Sequence, residues 1–151
     1  MARDQDTPGD SFVSSYLLYL LAASSEAASA EFHAQVRKAG LRVPEWRVLA
    51  CLIDNDGQMI TRLAEYAMLE QSRLTRIIDG MVDRGLLVRR ADVRDKRRRR
   101  IHLTDAGTAL AAQLVTQARA HETRLMARLS PEDQARLKPA LQALLAELGD
   151  G

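Results

Sequence analysis

Cysteine is almost missing from this chain: Cys51 stands alone among 151 residues. A single thiol excludes an internal disulfide framework and fits a reducing compartment, most simply the cytoplasm. Aromatic residues are scarce as well, at 4%, so a core has to be built from aliphatic side chains. Abundant Leu and Ala favour closely packed helices. The apolar run "FVSSYLLYLLAA" at 12–23 is too short to span a bilayer. Nor does it read as a signal-peptide core. "MARDQDTPGD" before it holds three aspartates against one arginine, so the cationic flank is missing. The expectation is a cytoplasmic protein with no membrane partner.

Catalytic signatures are missing too. There is no glycine-rich phosphate loop, no metalloprotease histidine pair and no Gly-x-Ser-x-Gly turn, so the chain does not read as an enzyme. His33, His102 and His121 lack the spacing of metal ligands on a helix, and one cysteine cannot complete a zinc site. No metal and no cofactor is expected.

What the chain does have is concentrated positive charge. The whole protein carries +2, yet Arg89–Arg100 alone holds eight cations and two anions. That segment sums to +6, which leaves the remainder at −4. Taken alone, such a run is a solvated face or a generic polyanion-binding patch. Its neighbours decide between these.

The length suits one domain, or one domain with oligomerisation helices. Residues 1–10 read as a flexible arm. Ser11 is placed to cap a long helix that ends at Gly40. Phe12, Tyr16, Tyr19, Leu20, Ala23, Ala27, Ala30 and Ala34 share one face of it. A small core would not cover so long a face, so residues 11–40 read as a dimerisation helix. Pro44 opens the next helix and "DNDG" at 54–57 is a turn. "TRLAEYA" is a short helix with Thr61 as its expected cap. "QSRLTRIIDGMVDRG" carries the apolar stripe Leu74, Ile77, Ile78 and Met81 and stops at Gly85.

Beyond Gly85 the period changes. "LLVRRAD" and "RRRRIHLT" are β-compatible segments joined by "VRDK", a hairpin with a basic tip. Thr104 then caps an Ala/Leu-rich helix, and "SPED" at 130–133 starts the last one, which Pro139 is expected to kink or split. Residues 105–151 read as C-terminal dimerisation helices.

Two helices joined by a tight turn and followed by a basic hairpin make a winged helix-turn-helix over 41–104. The fold class is therefore mainly α with a small β-wing. A second helix of this kind fits the DNA major groove, and the hairpin reaches the adjacent minor groove or its phosphates. Gln71 opens that helix, and Ser72, Arg73, Thr75, Arg76 and Asp79 lie opposite its apolar stripe. Hydroxyls and guanidiniums there suit phosphate contact and guanine readout. The DNA-binding candidates on the helix are Gln71, Ser72, Arg73, Thr75 and Arg76. On the wing they are Arg94, Asp95, Lys96, Arg97 and Arg98.

"VPEWRVLACL", "LAEYAMLEQSRLTRIIDGMVDRGLL" and "DVRDKRRRRIHLTDAG" resemble the MarR family of bacterial transcriptional regulators. Asp92, Asp95, Arg97, Leu103, Thr104 and Gly107 fall in register with that family's wing pattern. Arg98, Arg99 and Arg100 depart from it, since at some of those places the family commonly has small or apolar residues.

The resemblance implies a homodimer on a palindromic double-stranded operator, a repressor released by a small anionic or phenolic effector. It also implies that Asp95 pairs with Arg97 and orients it for the minor groove. The plainer alternative, which is compatible with it, is that Asp92 and Asp95 form the hairpin turn. Tyr16, Tyr19 and Trp46 read by spacing as ordinary core. The resemblance, not the spacing, adds the reading that they line a ligand pocket, with His33 as a further candidate. Cys51, in an apolar setting, reads as a small core residue. Two other function classes remain. One is a winged helix that docks on a protein, which should expose apolar anchors at the wing tip rather than arginine. The other is an architectural binder indifferent to DNA sequence.

Overall fold

The computed structural model describes residues 11–149, and the arm expected at 1–10 lies outside them. The chain divides into two units, Met1–Leu41 and Arg42–Gly151.

In the first unit, α1 (Phe12–Ser15) is followed by α2 (Leu17–Lys38). Ser11 does cap a helix, accepting from the Ser14 N–H at 3.3 Å, but the single long helix expected from it is broken. Tyr16 is extended, at φ −74° and ψ 121°. Local competition supplies a reason: the Ser14 and Ser15 hydroxyls donate to the carbonyls of Ser11 and Phe12, offering the backbone an alternative to the helical ladder. Gly40, at φ +78°, follows the end of α2 as expected. Phe12, Tyr16, Tyr19 and Leu20, the large members of the expected apolar face, are exposed, whereas Phe32 and Val36 are the buried residues of α2.

The second unit begins with α3 (Val43–Asp54) and continues through β1 (Gln58–Met59), α4 (Ile60–Ala67), α5 (Gln71–Asp83), β2 (Leu87–Ala91), β3 (Arg99–Leu103), α6 (Asp105–Met126) and α7 (Pro131–Gly149). The hairpin read from the sequence is β2–β3, with Leu87 opposite Leu103 and Ala91 opposite Arg99. β1 is an addition. It pairs antiparallel with β3, giving the sheet order β1-β3-β2. Two residues are too few to show a period of two, so no pattern marked it. β1 also moves the start of α4: the chain enters the helix directly from the strand, Met59 is the N-cap, and Thr61 lies inside the first turn rather than capping.

Between α4 and α5 the turn closes through Met68 in the left-handed region, at φ 56°. The Leu69 N–H returns to the Ala64 carbonyl at 3.0 Å, as at many helix ends. Pro139 does not split α7, which runs continuously past it. The proline forfeits one backbone bond at an exposed position, and the turns on either side keep theirs.

The core of this unit is aliphatic. Val48, Leu49 and Leu52 of α3, Leu63 of α4, Leu74, Ile78 and Met81 of α5, Leu87 and Ile101 of the sheet, and Leu114 of α6 are all essentially inaccessible. α6 joins them through Thr104 and Gly107. The Thr104 hydroxyl accepts from the Gly107 N–H at 3.0 Å and donates to the Gly85 carbonyl at 2.6 Å. A Cβ on Gly107 would stand 2.0 Å from the Leu86 carbonyl oxygen, a separation no side chain tolerates. The Leu-Thr-x-x-Gly spacing is thus a docking joint between the wing and α6.

Candidate nucleic-acid interface

Burying Leu74, Ile77, Ile78 and Met81 inward turns the opposite side of α5 to solvent. Gln71, Ser72, Arg73 and Arg76 are exposed there. Thr75 is half-buried, and its hydroxyl donates to the Gln71 carbonyl at 2.9 Å, so of the five helix candidates it is the least free to reach outward. Asp79 is exposed on the same helix, and its carboxylate pairs with Arg89 of β2.

The helices behind α5 are pinned by polar contacts. Arg47 of α3 donates to the Ala67 carbonyl at 3.1 Å, satisfying the end of α4. Glu45 is only 3% exposed. Its carboxylate takes the Arg42 N–H at 2.8 Å and the guanidiniums of Arg42 and Arg84 at 3.2 and 3.3 Å. A buried carboxylate is tolerated when matched in this way. Here it ties the start of α3 to the end of α5.

The wing is built around its two aspartates. Asp92 donates its N–H to the Arg98 carbonyl at 2.9 Å, and the Arg98 N–H returns to the Asp95 carbonyl at 3.0 Å. The Asp92 side chain accepts from the Asp95 N–H at 3.2 Å and from Arg100 Nε at 2.5 Å. Arg100 also donates to the Gly57 carbonyl at 2.8 Å, fastening the wing to the turn before β1. The Arg100 guanidinium, helped by the Asp95 and Arg94 amides, holds the Asp92 carboxyl below its ordinary range against a smaller opposing effect of burial. From the same turn, Asp56 takes the Leu103 N–H at 2.8 Å and sits 3.0 Å from His102 Nδ1. Gly57, at φ +76°, lies so close to the His102 ring that a Cβ would meet it at 2.7 Å.

Asp95 behaves differently from the expectation attached to it. It accepts from the Arg97 backbone N–H at 3.0 Å and pairs with the Arg98 guanidinium at 3.5 Å, not with that of Arg97. The turn explains this. The Arg98 N–H bond to the Asp95 carbonyl brings residue 98 back over residue 95, so the nearer guanidinium is that of Arg98.

The basic run therefore sorts into two groups. Arg89, Arg98 and Arg100 are engaged by carboxylates of the same chain. Arg90, Arg94, Lys96, Arg97 and Arg99 are exposed. The roles of Arg89 and Arg100 were not anticipated from the sequence. A signal for Arg100 was available: it stands directly opposite Arg90 in the β2–β3 register, and facing like charges require that one be matched elsewhere.

Of the residues expected to line a ligand pocket, Tyr19, His33 and Trp46 lie on helices and Tyr16 lies in the extended break between α1 and α2. Tyr16 and Tyr19 are exposed and His33 is half-buried in the first unit, while Trp46 is half-buried on α3. Cys51 is half-buried on α3. Burial pushes its thiol upward, Arg62 pulls it back, and Asp54 adds to the rise. No group of three or more metal-ligating side chains occurs among the described residues. No helix among them is long and apolar enough to cross a membrane.

Known proteins resemble this chain in sequence and in fold. The MarR family pattern matches residues 41–98. The HTH-type transcriptional repressor Rv2887 of Mycobacterium tuberculosis is 30% identical over 129 residues, covering 85% of this chain and 91% of that protein. The crystal structure of the MarR family transcriptional regulator SPO1453 from Silicibacter pomeroyi DSS-3 superposes with a TM-score of 0.84 at 62% identity, over 92% of this chain and 99% of the other. That of Rv2887 in complex with salicylic acid gives 0.70 at 28% identity, over 91% and 99%.

Proposed function

The chain belongs to the MarR family of transcriptional regulators, and from that premise we propose that it is a homodimeric repressor that binds a specific double-stranded operator and leaves it when a small anionic or phenolic ligand binds. The observation that carries DNA binding is the pair of exposed basic surfaces on adjoining elements. Gln71, Ser72, Arg73 and Arg76 project from α5, and Arg94, Lys96 and Arg97 project from a wing whose turn is held by its own aspartates. The helix suits base edges and phosphates in the major groove, and the wing suits the narrow, electronegative minor groove.

The homodimer is supported by apolar surface at both ends of the chain. Phe12, Leu17, Leu18 and Tyr19 are 49–73% exposed, and Leu145 and Leu148 of α7 are 69% and 70% exposed. Residues 11–40 and 105–151 are accordingly the proposed dimerisation helices, flanking the DNA-binding part at 41–104. Two copies related by a twofold axis would set two α5 helices about 34–36 Å apart, one turn of a palindromic operator. The salicylate-bound relative supports an anionic, phenolic ligand, with Tyr16, Tyr19 and His33 of the first unit as its proposed contacts.

The test is binding of a labelled duplex from the DNA flanking the chain's own coding sequence, in competition with unrelated DNA. Retention of the first against a large excess of the second, and its release by salicylate, is the expected result. Equal competition by unrelated DNA would instead make the protein an architectural binder.

A further inference from the structure

Asp79 is an anion on the helix face proposed to enter DNA. It occupies the same face as Ser72, Thr75 and Arg76, at helical spacings of seven, four and three residues. An unmatched carboxylate there would meet phosphates and weaken binding. It is not unmatched: Asp79 and Arg89 form an ion pair, 55% and 32% exposed. Arg89 shares a strand face with the buried Leu87, the face that packs toward α5.

The placement of this pair matters more than its charge. α5 and β2 are joined covalently through only residues 84–86, at the base of the angle between them. The Asp79–Arg89 pair links the same two elements again, farther out. It adds a charged side-chain tie between the two elements proposed to read DNA. The other wing fastenings, Arg100 to Gly57 and Asp56 to Leu103, anchor the sheet to the turn before β1 and leave α5 untouched.

Resting on the DNA-binding reading above, we propose that Asp79 is a positioning residue. Through Arg89 it sets the separation of recognition helix and wing, so that the major and minor grooves are engaged together. Arg89 then serves the protein and not a phosphate, although it lies at the start of the basic run.

The experiment uses a duplex selected from a random pool by the wild-type chain, with affinity measured across salt concentrations for D79N, R89Q and D79N/R89Q. Bracing predicts that each single variant loses about three- to tenfold in specific affinity. Affinity for unrelated DNA should hardly change, and the double variant should be no weaker than the worse single one. It further predicts that R89Q keeps the wild-type salt slope, because an arginine that neutralised a phosphate would take about 0.9 from that slope when removed. Thermal melts are run on each variant, and the charge-swapped D79R/R89D, which restores a pair, should recover specificity. Charge repulsion alone predicts the opposite sign, with D79N binding as tightly as wild type or more so, and that result overturns the proposal while leaving DNA binding intact. A reduced salt slope in R89Q, or losses that add in the double variant, overturns it as well. A wild-type chain that retains no duplex would bring down the DNA-binding reading, and this proposal with it.

Discussion

Single residues carry much of this molecule's specificity, and each makes a separable prediction. Gly107 is demanded by sterics, since a Cβ would stand 2.0 Å from the Leu86 carbonyl oxygen. Gly107→Ala should therefore cost about 3 kcal/mol or more of stability, because backbone must move to make room. A melting temperature within a degree of wild type would contradict that close approach. Cys51 illustrates the reverse case, a reactive group kept quiet. With its thiol pushed upward by burial, it is mostly protonated at neutral pH, and the thiolate is the nucleophile. Iodoacetamide should label it more slowly than an unstructured peptide cysteine, and DNA binding should survive mild peroxide. Peroxide-dependent release, abolished by Cys51→Ser, would show that the thiol is a sensor.

At the scale of elements, the recognition helix and the wing should fail in different ways. Arg76→Ala is expected to cost about 1–3 kcal/mol for each base that the arginine reads, and to relax preference at one operator position. Arg97→Ala should weaken all sequences, most of all those with a narrow A·T-rich minor groove. It should also flatten the salt dependence by about 0.9 in log–log slope. Asp95→Ala removes an anion and keeps every cation, so charge alone predicts equal or tighter binding. The turn geometry predicts weaker specific binding, because Asp95 holds both the Arg97 amide and the Arg98 guanidinium. Competition binding decides the sign. The wing also has a pH signature. Asp92 has a depressed folded-state pKa, so its contribution is fully present above the unfolded carboxyl value, about 3.9. That contribution is lost only as pH falls through the lower folded value. The wing turn should hold in mild acid, and Asp92→Asn should remove this acid-range dependence, which amide exchange at Asp95 and Arg98 would report.

For the whole molecule the proposed homodimer is the claim most exposed to test. The apolar side chains at 12–20 and along α7 are costly to leave in water. Sedimentation equilibrium at micromolar concentration should return twice the 16.8 kDa chain mass. Replacing Leu17, Leu18 and Tyr19 together by Ser should shift that equilibrium toward monomer and weaken operator binding, since each monomer would hold a single half-site. A stable monomer in the parent protein would remove the argument for a palindromic operator.

Most of the architecture was legible in order and period. The apolar stripe of α5, the alternation around Ile101, the basic tip and the caps at Ser11 and Thr104 are local signals, and local hydrogen bonding or burial of a single face suffices to enforce them. What the sequence could not determine depends on residues far apart in the chain. β1 exists only because β3 offers it an edge 43 residues away, and with it the start of α4 moves from Thr61 to Met59. The break at Tyr16 and the continuity through Pro139 turn on energies too close for propensity to decide. The arginine run is the clearest case. Eight cations in a row of twelve look alike in sequence, and only folding reveals that Arg89, Arg98 and Arg100 each meet a carboxylate. Pairing is set by the register of β2 on β3, the hydrogen bonds of the wing turn and the approach of α5. Charge patterning shows how much positive potential a segment holds, but the tertiary structure decides which of those charges remain available to a partner.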